Sequence, residues 1–287
     1  MRYARPETIE QAAGLLSQEQ GITRILTGGT DVMVQLKAGL VEPALIVDIK
    51  HLPGLRSITP EDGGFRIGAA VSGAELGEHA GLRALWPGVV EGAELIGSTQ
   101  VQGRATMTGN LCNGSPAADA VPGLIAASAT ARITGPGGTR DCAVADIPAG
   151  PGRTTLGKGE IITSLFLPAR PSHSGDAYLR FIPRTEMDIA VVAAAVSLTL
   201  DEAGIITAAR VVLGAVAPTI RLVTPAADAI IGTKLDDAAL SALAAAASAA
   251  CSPIDDKRGT IAFRTQVAGV LAKRAALIAY SRAGGPK

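Results

Sequence analysis

The sequence predicts a two-domain α+β chain, and three observations carry that reading. A strand, a glycine turn, a helix and a strand follow one another between Ile22 and Asp48, which is the order of a β-α-β unit. Two antiparallel hairpins follow, one turning at Gly135-Pro136-Gly137-Gly138 and a longer one at Asp201-Glu202-Ala203-Gly204. Between them Pro168–Asp176, with two prolines, a glycine and two serines, reads as a linker. At 287 residues, 47% of them hydrophobic and 18% charged, the chain has the length and apolar content to build sizeable cores.

Taken in order, Ile9, Ala12, Ala13 and Leu16 fall at helical spacing, and Gly21 ends that helix. Ile22–Thr27 reads as a strand, Asp31–Ala38 as a helix and Leu45–Asp48 as a buried strand. Phe65–Ala69 is a short strand, and Ser72 with Glu75 spells a capping box that opens the next helix. Leu82–Ile96 is mostly helical and is punctuated by Pro87. From Gly97 to Pro122 almost no helical or strand period remains, so a long functional loop is expected there. Ala131–Thr134, Thr139–Val144 and Glu160–Leu167 read as strands. Beyond the linker, Ile189–Leu200 and Ile205–Val216 form the long hairpin. Alanine-rich helix completes the chain, ending in the amphipathic stretch Thr260–Ala283.

Composition excludes several functions. Net charge is zero and the basic residues are scattered, so no stripe exists for a nucleic-acid backbone. Aromatics make up 3%, too few for base-stacking platforms. Mean hydropathy is +0.31, yet the longest apolar stretches, Ile189–Leu200 and Ala238–Cys251, are too short to cross a bilayer. The N-terminus shows no apolar leader, so a cytoplasmic protein is expected. Cys112, Cys142 and Cys251 are dispersed, which fits neither a disulfide framework nor the four thiolates of an iron–sulfur cluster. His51, His79 and His173 are isolated from one another and read as loop or surface residues.

The chemistry concentrates in two glycine-centred loops about eighty residues apart. Thr27-Gly28-Gly29-Thr30-Asp31 and Thr106-Met107-Thr108-Gly109-Asn110 both offer bare backbone N–H groups beside small hydroxyls. Such amides carry partial positive charge and suit a phosphate without a lysine. Two of them can grip the two phosphates of a dinucleotide from opposite sides. Gly152-Arg153-Thr154-Thr155-Leu156-Gly157-Lys158 spells most of a P-loop, but Gly159 replaces the magnesium-binding hydroxyl and Glu160-Ile161-Ile162 reads as strand, so it is taken as a surface turn. No Gly-x-Gly-x-x-Gly, nucleophile elbow or cysteine–histidine motif is present. Asp255-Asp256 reads as a turn and helix N-cap. Absence of acid–base machinery favours a protein whose cofactor carries the chemistry.

Together these segments resemble the FAD-binding medium subunits of molybdenum hydroxylases, the family of the carbon monoxide dehydrogenase medium subunit and the xanthine dehydrogenase flavin domain. Thr27–Asp31 is similar to the family's first FAD loop, and Thr106–Asp119 to its second loop and downstream aspartate. Leu156…Glu160-Ile161-Ile162, Arg184…Asp188-Ile189-Ala190 and Asp255-Asp256…Arg264 fall in the family's order. The resemblance implies a PCMH-type FAD-binding domain over residues 1–170, in subdomains of about 1–54 and 55–170. A smaller α+β C-terminal domain would span 177–287.

Carried over by residue, the resemblance implies that Ile25, Leu26, Thr27, Gly28, Gly29, Thr30, Asp31 and Val32 wrap the FAD pyrophosphate. Ile96 packs beside the cofactor, and Thr106, Met107, Thr108, Gly109 and Asn110 supply further amides and hydroxyls. Asp119 makes a polar contact, Ile162 an apolar one, and Arg180 holds the family's basic position in place of lysine. No metal ligand and no catalytic acid–base residue is implied on this chain. The molybdenum cofactor and the iron–sulfur clusters would sit on a large and a small partner subunit, in a dimer of heterotrimers. This chain would pass electrons through FAD to an external acceptor. The alternatives are a self-sufficient flavin oxidoreductase of the same superfamily and a flavin-free scaffold. Thr108 departs from the family pattern, standing where a glycine is usual. A threonine is costly at positive φ, so either the local geometry differs or the backbone there is ordinary.

Overall fold

The computed structural model describes residues 1–285; positions 286 and 287, the end of the expected C-terminal domain, lie outside the described residues. The chain begins with β1 (Arg2–Ala4), α1 (Ile9–Gln18), β2 (Thr23–Leu26), α2 (Val32–Lys37) and β3 (Leu45–Asp48). Thr8 caps α1 by accepting the Gln11 amide, and the helix stops at Gln18, before Gly21. Its Ala12, Ala13 and Leu16 face the core at the expected spacing. The three strands are all parallel, in the order β1-β3-β2. β3 is central and buried at every position, which explains its unbroken apolar run.

The middle of the chain holds β4 (Ile58–Glu61), β5 (Gly64–Gly68), and six short helices: α3 (Gly73–Glu78), α4 (Ala80–Leu85), α5 (Pro87–Glu94), α6 (Thr99–Gln102), α7 (Met107–Cys112) and α8 (Ala120–Ala126). Strands β6 (Thr130–Gly135), β7 (Gly138–Ala143), β8 (Pro148–Gly150), β9 (Arg153–Thr154) and β10 (Ile161–Leu167) follow. Antiparallel pairing orders the larger sheet β4-β5-β10-β6-β7. The Ser72–Glu75 capping box forms as read, and Pro87 occupies the first turn of α5, starting a new helix.

The stretch 97–122 departs from expectation. It contains α6, α7 and the start of α8 instead of an aperiodic loop. Helices of four and six residues are too short to show a hydrophobic period, and their Gly, Thr and Asn residues have low helix propensity. Thr108 sits inside α7 and is absent from the positive-φ residues, so its backbone is ordinary and the threonine is unstrained.

The last part contains β11 (Ser174–Phe181), β12 (Val192–Leu200), β13 (Ile206–Gly214), β14 (Arg221–Leu222), α9 (Thr224–Asp228), α10 (Asp237–Ala249) and α11 (Ile261–Arg282). Its antiparallel sheet runs β11-β12-β13-β14. Successive residues of β12 serve opposite faces: Ala193 and Ala195 join the core of the middle helices, while Ala194 and Val196 join the core under α10 and α11. Burial on both faces accounts for the continuous apolar run. Thr260 caps α11, while Asp255 accepts the Ile261 amide and Asp256 pairs with Arg264, so the double aspartate braces the helix start without being its N-cap.

The stretch read as a linker is partly built into the core. Asp176 lies in β11, and its carboxylate accepts from the Gly88 amide at 2.8 Å and from Arg170 at 2.8 Å. The Arg170 guanidinium lies 4.5 Å from the Trp86 ring centroid. Burial pushes Asp176 up to about 6 against the pull of Arg170.

Candidate functional site

The carboxyl end of β2 delivers Thr27-Gly28-Gly29-Thr30-Asp31 as a turn into α2. Gly29 takes φ = 78°, a conformation that L side chains adopt only at a cost. Gly28 has a different reason to be glycine. A Cβ there would stand 2.2 Å from the Arg104 carbonyl oxygen, so the first loop presses backbone to backbone on the approach to the second. The contact continues at Thr27, whose Oγ1 is 3.4 Å from that of Thr106. Thr106 in turn caps α7, its Oγ1 accepting the Gly109 amide at 2.9 Å.

Among the described residues, the backbone N–H groups of Gly28, Gly29, Thr30 and Asp31 donate to no carbonyl. Those of Met107 and Thr108, in the first turn of α7, have no intrahelical acceptor. The amides of Gly28 to Asp31 and of Thr108 border a cleft of about 630 Å³. Ile25 and Thr27 through Val32 form one wall, and Ile96, Thr106, Thr108, Gly109 and Asn110 a second. Gly152, Thr154 and Leu156 through Ile162 form a third. The volume lies in the range of ligand-sized clefts. Free amides and threonine hydroxyls suit phosphate oxygens, and Ile25, Ile49, Ile96 and Ile162 offer apolar surface for flat rings. A pyrophosphate carried between two ring systems fits this donor set.

The structure therefore gathers most of the sequence-derived residues around one space, and four stand outside it. The Met107 side chain is buried in the middle core, and Leu26 is half-buried and lines no part of the cleft. Asp119 and Arg180 are also absent from the lining; they bond to each other at 2.7 Å. Asp119 also accepts from the buried Tyr178 hydroxyl at 2.7 Å. Burial raises Asp119 to about 6, with Arg180 and Tyr178 pulling it back down. The Nε of Arg180 has no partner among the described residues. Asp31 borders the cleft, and burial raises its pKa too.

Of the third wall, sequence reasoning found Ile162 alone as a site residue. Gly152–Lys158, read as a surface turn, contains the short strand β9 and closes the cleft. Its glycine density was the available signal. Cys112 was likewise missed: it is exposed and lines the cleft.

With that geometry in place, comparison with known families decides the identity. The model of the FAD binding domain in molybdopterin dehydrogenase matches residues 1–170, and that of the CO dehydrogenase flavoprotein C-terminal domain matches residues 177–279. The chain belongs to the flavoprotein family of the molybdopterin dehydrogenases. Members similar to it include the carbon monoxide dehydrogenase medium chain of Afipia carboxidovorans, 34% identical over 98% of this chain and 97% of the relative. The putative xanthine dehydrogenase FAD-binding subunit of Escherichia coli is 30% identical over 99% and 97%. Among solved structures, the reconstituted CO dehydrogenase from Oligotropha carboxidovorans contains a chain matching with a TM-score of 0.94 at 33% identity, over 98% of each chain. This molybdopterin-dehydrogenase flavoprotein thus shares both domains of its family, in the same order. Among its described residues no helix is long and apolar enough to cross a membrane.

Proposed function

We propose that this flavoprotein holds one FAD non-covalently in the three-walled cleft, as the electron-transfer component of a molybdenum hydroxylase. Thr27–Asp31 and Thr106–Asn110 face the pyrophosphate, while Ile96 and Ile162 pack against the cofactor's rings. Bound there, FAD would supply the capacity to take electrons singly from iron–sulfur clusters of a small partner subunit, fed by a molybdenum cofactor on a large one, and to release them in pairs to an external acceptor. The assembly is a cytoplasmic dimer of heterotrimers. The observation that carries this reading is the pair of interlocked loops, whose free amides converge on one ligand-sized cleft.

Heat-denatured holoprotein should release free yellow FAD into the supernatant. Flavin left on the precipitated chain, or none at all, rejects non-covalent binding. The isolated chain should be reduced by dithionite but should turn over organic substrates slowly or not at all. Restoring the iron–sulfur and molybdenum partners should produce substrate-dependent flavin reduction. Rapid substrate oxidation by the chain alone would instead favour a self-sufficient oxidoreductase.

A further inference from the structure

The third wall of the cleft carries a cation that the two glycine loops do not need. Lys158 sits between Gly157 and Gly159 on the turn leading into β10, is exposed and lines the cleft. The turn is held firmly. Glu160 accepts the Gly157 amide at 2.7 Å, and its own amide donates back to the Gly157 carbonyl at 3.0 Å. A Cβ on Gly159 would stand 2.9 Å from Ser17 Cβ and 3.1 Å from the Ala13 carbonyl, so this backbone is seated against α1.

The carboxylate nearest Lys158 in sequence is already committed. Both oxygens of Glu160 accept from Arg140 at 2.8 Å, in a bidentate pair. Among the described residues Lys158 therefore makes no ion pair. Arg24, on β2, is in the same position: it lines the cleft, and among the described residues its only side-chain bond is to the Thr23 carbonyl and no carboxylate pairs with it. Leu16 of α1 and Thr23 of β2 also line the cleft. Asp31 is the one lining carboxylate without an ion-pair partner among the described residues. Two unpaired cations against one acid leave the side chains of the cleft net positive before any amide is counted.

We propose that Lys158, from the segment whose sequence resembles a P-loop, and Arg24, from β2, form an electrostatic clamp on the phosphates of the bound dinucleotide. The proposal rests on the FAD reading above. It assigns the turn a job that the motif comparison had denied it: Lys158 meets phosphate without magnesium and without a following helix. The clamp differs from the glycine loops in kind. Amides act through short, directional hydrogen bonds, whereas an exposed ammonium acts through a screened charge.

The test is FAD titration of full-length apoprotein, followed by flavin fluorescence, at about 0.03 M and about 0.5 M salt. Wild type, Lys158→Gln, Lys158→Arg and Arg24→Gln are compared. Lys158→Gln and Arg24→Gln should each weaken FAD about three- to fivefold at low salt, the effect of one exposed ion pair. The deficit should close at high salt, and Lys158→Arg should retain wild-type affinity. Wild-type affinity in both glutamine variants at low salt overturns the clamp while leaving the FAD site intact. A deficit that persists at high salt and is not restored by arginine assigns Lys158 a packing role and also overturns it. Failure of the wild type to bind FAD rejects the site itself, and the clamp with it.

Discussion

Replacing Gly28 by alanine puts a single methyl group where the two loops meet. The added carbon would stand 2.2 Å from the Arg104 carbonyl oxygen and 3.1 Å from Ala105 Cα, both backbone atoms that cannot rotate away. Ordinary contact begins near 3.4 Å, so the first loop and the segment before Thr106 must separate by about 1 Å. Overpacking of this size costs about 1–3 kcal/mol of fold stability. Binding should suffer more. The free amides of Gly28–Asp31 and those opening α7 act together only while the loops keep their spacing. Each charge-assisted hydrogen bond contributes about 1.5–3 kcal/mol, so losing one weakens FAD about 10- to 150-fold. Chemical denaturation of the apoprotein measures the first effect, and FAD titration the second. A folded Gly28→Ala variant with wild-type FAD affinity would refute the convergence of the two loops on one ligand.

Three further predictions follow from other parts of the site. Gly29→Val should abolish FAD retention while the chain stays folded, because φ = 78° costs an L residue roughly 1–2 kcal/mol and a branched side chain more; retention of flavin through gel filtration would count against it. Cys112 is exposed and lines the cleft while burial of its thiol pushes it up to about 12, so its alkylation at alkaline pH should be slow and slower still with FAD bound, and equal rates with and without FAD in peptide mass analysis would count against FAD in this cleft. Asp119 and Asp176 both titrate near 6 in the fold, above the unfolded value near 4, so the native state binds more protons in that window. Their contribution to stability is therefore full below about pH 4 and is lost as pH rises towards 6; Asp119→Asn should flatten the urea-derived stability slope there, and an unchanged slope would exclude it.

Legibility of the sequence varied with the physical origin of each signal. The β-α-β unit, the capping box at Ser72 and Glu75, and both hairpins could be read because they depend on local chemistry: a cap, a glycine turn, an apolar alternation. The helices α6 and α7 could not, since both are shorter than two full turns; a threonine caps α7, and α6 has no side-chain cap. At the site, the glycine loops were visible because free amides and small hydroxyls leave a compositional trace. Apart from Ile162, which the family resemblance carried, the third wall left only a false P-loop, since its role comes from tertiary placement against α1. The linker reading missed the burial of Asp176 because nothing local in Pro168–Asp176 announces Arg170 and the Gly88 amide as partners.

The placement of Asp119 and Arg180 follows the same logic from the opposite side. Neither lines the cleft, yet the two are connected to it through backbone. Arg180 on β11 pairs with Asp119, and Asp119 directly precedes α8. The first amide of α8, that of Ala120, donates to Asn110 Oδ1 at 3.0 Å, and Asn110 belongs to α7 and lines the cleft. α7 in turn begins at Thr106, which touches Thr27 of the first loop. A continuous set of bonds thus runs from the sheet of β11 to both glycine loops. Removing one member of a buried ion pair leaves the other charge uncompensated, at a cost of about 3–5 kcal/mol, so the pair is a rigid link in this set. In the apoprotein these two residues act by holding the second loop in place. That explains how positions can belong to the site's sequence pattern without forming part of its wall.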